Sequence, residues 1–175
     1  MPLWQVFHPK DAYTAEDKEA LADRITGLFR RTPLPDFYVV VVFIELPAES
    51  FYVGGKPRKD FVRFKVDQMA HTMADQIKRD WWMRRVEDAI APFVTARGYD
   101  SEVQIDEPGR DLWTINGIAP PPFRSIAEKK WLKENRARPY TEDDKMPAPP
   151  PGLATEAVVP PSEGKQMSIG REISK

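Results

Sequence analysis

The chain has 175 residues, 41% hydrophobic and 30% charged, with a formal net charge of −1; this composition fits one soluble globular core and excludes recruitment of nucleic acid or anionic membrane by a global field. The absence of cysteine excludes disulfides and thiolate chemistry. No apolar run is long enough to span a bilayer and no secretory pattern opens the chain, so the expectation is a cytoplasmic protein.

The first element, PLWQVFH (2–8), reads as a short apolar strand starting at Pro2. The segment 14–31 reads as a helix. Thr14 can cap it with Asp17 as capping-box partner, and Leu21, Ile25, Leu28 and Phe29 share a face. TPLPD (32–36) breaks the helix, and FYVVVVFIEL (37–46) is a continuous β-branched and aromatic run, the pattern of a strand buried on both faces. A strand, a helix and a second such strand make a β-α-β unit with parallel strands.

The middle of the chain repeats this order. FYVGGKPRKD (51–60) carries the Gly-Gly and Pro of a hairpin or loop, and FVRFKVDQM (61–69) alternates like a strand with one wet face. Residues 72–98 read as a helix with Thr72 and Asp75 as its capping box. Pro92 should kink that helix or end it early, and Gly98 is its stop. SEVQID (101–106) is the next strand, DLWTINGIAPPP (111–122) holds a further short strand, and SIAEKKWLKEN (125–135) is a last short helix. The fold class expected is α+β: two consecutive β-α-β units forming a four-stranded sheet with two helices on one face. Residues 2–140 form the domain. Residues 141–175, rich in proline and charge with few bulky apolar side chains, form a disordered tail.

MPLWQVFHP, YVVVVFIELPAESFYVGGKPRKDFVR (38–63), RGYDSEVQIDEPGRDLWTINGIAPPP (97–122) and EKKWLKENRARPY (128–140) resemble the tautomerase superfamily. Within it the chain is similar to the fungal group related to cis-3-chloroacrylic acid dehalogenase. The resemblance implies a duplicated β-α-β fold, a homotrimer, and an N-terminal proline acting as base or nucleophile.

Pro2 is therefore the candidate catalytic residue. With Met1 attached its nitrogen is an amide without basicity. With Met1 removed it is a secondary amine, and a free α-amino group has a reference pKa of about 7.7–8.0. Desolvation at the start of a buried strand and nearby cations both favour the neutral form, freeing the lone pair. A substrate carboxylate needs cations. Arg63 and Lys65 differ by two and share a strand face, either as substrate-holding groups or as a solvated face. His71 precedes the second helix as a further candidate. Asn116, beside Gly117, is either a turn residue or a polar group lining the pocket.

The resemblance also identifies departures. Phe29 stands where the branch has a substrate-holding histidine, and Gln104 replaces a tyrosine. The water-activating glutamate falls near Ile115 or Asn116, neither of which is a base. These changes disfavour hydrolytic dehalogenation and hydration and leave proton transfer by Pro2. They make Phe29 and Gln104 substrate-binding candidates of altered chemistry. Lone His8 reads as a surface or capping residue, and Trp4, Trp81, Trp82 and Trp113 as core or subunit contacts. No residue cluster has metal-ligand spacing, so neither metal nor organic cofactor is expected. Two functions follow: a tautomerase acting on a small carboxylate-bearing substrate, or a non-catalytic trimeric scaffold or small-molecule binder.

Overall fold

The computed structural model describes residues 2–32, 34–69, 72–73 and 75–148. Strand β1 (Pro2–Pro9) alternates buried and partly exposed residues, as a strand with one face on a core must. Thr14 caps helix α1 (Ala15–Arg30). Its hydroxyl accepts from the Asp17 N–H and the Asp17 carboxylate accepts from the Thr14 N–H, so the helix starts where the spacing predicts. Leu21, Ile25, Leu28 and Phe29 are its buried stripe.

The strand expected over 37–46 is shorter, because Asp36–Tyr38 forms a 3-10 turn and β2 runs from Val40 to Leu46. It is also not buried on both faces. It lies at a sheet edge with its residues partly or fully exposed, Val42 at 41%. Composition records that a strand wants cover; it does not record whether the same chain supplies it.

β3 (Tyr52–Val53) and β4 (Lys56–Pro57) form the expected hairpin. Gly54 and Gly55 turn it with φ of 60° and 76°, the conformation a two-residue type I′ turn demands. β5 (Phe61–Gln68) alternates strictly between partly exposed and buried. Helix α2 (Gln76–Ile90) is capped by Asp75 alone, which accepts from the Lys78 N–H at 2.8 Å, with Thr72 lying upstream of the cap. Pro92 ends α2 early, as its ring geometry requires. Two 3-10 turns follow, Ala91–Phe93 and Thr95–Arg97, and left-handed Gly98 leads into β6 (Asp100–Asp106). No strand forms within 111–122: Arg110–Leu112 is a 3-10 turn, and a single bridge joins Ile115 to Ile118. Ser125 caps helix α3 (Ile126–Glu134).

The four long strands order as β2-β1-β5-β6. β1 and β2 are parallel, β5 and β6 are parallel, and β1 meets β5 antiparallel. This is the expected pair of β-α-β units. Trp4, Val6, Val62, Phe64 and Val66 pack on one face against Leu21, Ile25, Trp82, Val86 and Ile90 of α1 and α2. The opposite face divides in two. Leu3, Phe7, Val40, Val42 and Ile44 make an apolar half, and Arg63, Lys65, Asp67, Glu102 and Asp106 a charged half.

Ordered structure continues past the expected start of the tail at 141. Asp143–Lys145 is a 3-10 turn and Pro147 bridges Ser125. The Ile126 N–H donates to the Met146 carbonyl at 3.0 Å and the Ala148 N–H to the Arg124 carbonyl at 2.9 Å. Residues 149–175 lie outside the described residues. Among the described residues no helix is long and apolar enough to cross a membrane.

Candidate active site

Pro2 is the first residue of β1 and is buried. It pairs across the ladder with Gln68, and alternation puts both on the helix-covered face with Trp4 and Val66. Gln68 lines a pocket of about 390 Å³. Four aromatic side chains wall it: Phe29 and Trp82, buried, and Trp81 and Phe123, which are 51% and 38% exposed. The Phe29 and Trp82 rings lie 5.2 Å apart and those of Trp81 and Trp82 6.3 Å. Three cations, Arg31, Lys78 and Arg124, also line it, and among the described residues no acidic side chain does. Lys78 is tied to Asp75 at 2.8 Å. Neither Arg31 nor Arg124 forms an ion pair among the described residues.

Of the candidate site residues named from sequence, Phe29 alone among the described ones lines this pocket; Pro2 itself is outside the lining and adjoins it through its ladder partner Gln68. Arg63 and Lys65 do lie on one face, but it is the face opposite Pro2, at positions paired with Phe7 and Gln5. That places them about 17 and 10 Å along the strand at about 3.3 Å per residue. They are also occupied. Arg63 bridges Glu102 at 2.8 Å and donates to the Gln104 side chain at 2.7 Å, while Lys65 lies 3.5 Å from Asp67 and 3.8 Å from Asp106. Gln104 belongs to this charged network rather than to the pocket. Asn116 is a turn residue: exposed, with φ of 52°, followed by Gly117 at 76° inside the Ile115–Ile118 bridge. His71 lies outside the described residues.

His8 is fully buried rather than at the surface. Its Nδ1 donates to the Pro9 carbonyl at 2.9 Å, which leaves Nε2 as a buried acceptor, among the rings of Tyr13 and Phe43, with no hydrogen-bond partner among the described residues. Burial, assisted by the Lys18 charge, lowers its pKa. It stands at the far end of β1 from the pocket.

Arg31, Arg124, Gln68, Trp81 and Trp82 were not marked as site residues by the sequence patterns. Arg31 had a signal, since it follows Phe29 at the end of α1. Arg124 had none, because it enters from a loop more than fifty positions beyond Gln68.

A family profile described as "Putative oxalocrotonate tautomerase enzyme" matches residues 1–136. Native RhCC from Rhodococcus jostii RHA1 is 45% identical, over 79% of this chain and 99% of that one, with a TM-score of 0.77. A probable enzyme from the thermophilic fungus Aspergillus fumigatus is 38% identical, over 80% and 98% of the two chains, with a TM-score of 0.76. N1, a member of the cis-3-chloroacrylic acid dehalogenase family, is similar in fold: 20% identity over 76% and 97%, TM-score 0.57. Among curated proteins there is no match.

Proposed function

The chain belongs to this tautomerase family, and from that premise we propose that it is a small tautomerase in which Pro2, freed by removal of Met1, is the general base. Its substrate is a small carboxylate-bearing enol, ketone or unsaturated acid. The observation that carries the reading is the register of Pro2 with Gln68, which lines a pocket holding cations and, among the described residues, no acid.

Pro2 is buried, and burial disfavours the protonated amine, so the free nitrogen keeps a lone pair near neutral pH. Positive charge in the neighbouring pocket acts in the same direction. In enolisation the nitrogen accepts the proton from the carbon alpha to the carbonyl, and the resulting cation returns a proton to oxygen. Ketonisation runs the same steps in reverse. A hydrolytic reaction needs a base to activate water, and no carboxylate lines the pocket among the described residues. The apolar half of the open sheet face and the edge position of β2 support assembly with further copies, a homotrimer in the arrangement the family resemblance implies.

The test is the ketonisation of phenylenolpyruvate by protein whose intact mass confirms loss of Met1. Pro2→Ala is expected to lower kcat by about a hundredfold or more, the range of a general base. A retained Met1, or a Pro2→Ala protein as active as the parent, overturns the proline mechanism. No turnover in either leaves the second reading, a non-catalytic binder, which the engagement of Arg63 and Gln104 in their own charge network favours.

A further inference from the structure

We infer that the pocket at Gln68, the ladder partner of Pro2, is built for a flat aromatic carboxylate, its ring against Trp81 and Trp82 and its carboxylate at Arg31 and Arg124. This deepens the proposed function by naming its substrate class, and it rests on that reading for the chemistry but not for the binding.

Three observations carry it. The first is charge complementarity. Lys78 is satisfied by Asp75, whereas the two guanidinium groups in the lining form no ion pair among the described residues. A guanidinium grips a carboxylate through paired hydrogen bonds. The second is the wall. Trp81 keeps half its surface in water at the pocket rim beside buried Trp82 and Phe29. Large exposed aromatics at a concave site offer a stacking surface.

The third is the backbone at Arg124. It sits at φ +61°, a left-handed conformation that side-chain-bearing residues adopt at a cost. Its N–H donates to the buried Glu128 carboxylate and its carbonyl accepts from Ala148. Both sides of the residue are thus clamped. The guanidinium is 5.2 Å from the Phe123 ring, itself a pocket wall. Asparagine or glycine would relieve the backbone cost, and the Arg124 charge also acts on the buried Glu128 carboxylate.

The experiment is calorimetric titration of the full chain with three unreactive probes: 3-phenylpropanoate, hexanoate and 3-phenylpropanamide. The aromatic acid is expected to bind about tenfold tighter than the aliphatic acid and than the neutral amide. Trp81→Ala is expected to abolish the preference for the ring. Arg124→Asn, which tolerates the left-handed backbone, should weaken the acids about tenfold and leave the amide unchanged, with melting temperature held or raised. If Arg124→Asn fails to fold, Arg31→Gln makes the same comparison. Equal affinities for the three probes, or an arginine variant that binds all three as the parent does, overturn the inference. Binding does not need the Pro2 nitrogen. Ring-selective binding without turnover of phenylenolpyruvate therefore sinks the proline reading alone, and turnover without ring selectivity sinks this one alone.

Discussion

Arg63 and Arg124 carry the same guanidinium into opposite settings. Arg63 lies on the open sheet face, neutralised by Glu102 and bonded to Gln104, whereas Arg124 lines a pocket with no acidic side chain among the described residues. Alternation along the strand correctly groups Arg63 with Lys65, but it cannot say which face holds Pro2. That is fixed by the pairing of Pro2 with Gln68, a long-range register that no local pattern encodes. His8 was hidden for a related reason. Even spacing puts it on Pro2's face, yet its full burial depends on Tyr13 and Phe43 arriving from elsewhere. That burial has a sign. The folded chain holds His8 neutral with a lowered pKa, while the unfolded chain binds a proton below about pH 6.5. Acidification therefore costs stability. Melting temperature should fall from about pH 7.5 to about pH 5.5, and His8→Phe should flatten that slope. Glu128, whose carboxyl burial pushes up, titrates in the opposite sense, so the difference between the two proteins is the quantity to read. Equal slopes would show that His8 is not the group responsible.

Elements with a chemical punctuation mark were legible. The Thr14–Asp17 box, the Gly54-Gly55 turn, Pro92 and Gly98 each set a boundary through their own backbone or side-chain chemistry. Elements defined by what packs on them were not. The segment 111–122 has strand-forming residues but finds no partner strand and closes on itself through Ile115 and Ile118. Residues 141–148 lack apolar bulk, yet their backbone pairs with Arg124–Ile126 and Lys130 holds Asp144 at 2.7 Å. This strap fixes the loop that brings Arg124 to the pocket. A chain ended after Tyr140 should keep its melting temperature within a few degrees, because the strap adds no residue to the main core cluster. Its affinity for 3-phenylpropanoate should drop about tenfold as the clamp on Arg124 is lost. A chain ended after Ala148 should bind like the full chain. Equal binding by both truncations would remove the strap from the site.

For the molecule as a whole, the order of strands and helices was readable because each β-α-β half repeats the same switch in hydrophobic period. What the apolar run at 40–46 is for was not readable, because a single chain leaves β2 at an edge. The sheet's open face joins that edge to Leu3, Phe7 and Ile44 beside a charged half. An exposed apolar edge of this kind invites self-association, and a charge at its centre opposes it. Sedimentation velocity should find the parent chain as an oligomer, three chains if the family arrangement holds. Val42→Lys, at a site 41% exposed in the single chain, should shift it toward monomer with the fold intact. A parent chain that sediments as a monomer at micromolar concentration would contradict the assembly.

The proposed proline mechanism rests on one nitrogen atom, so the most direct measurement is the steady-state ketonisation of phenylenolpyruvate by Pro2→Ala beside a parent protein verified by mass to begin at Pro2. A loss in kcat of about a hundredfold or more, with binding of 3-phenylpropanoate unchanged, is the expected result. An undiminished kcat in the alanine variant would show that the proline is not the base.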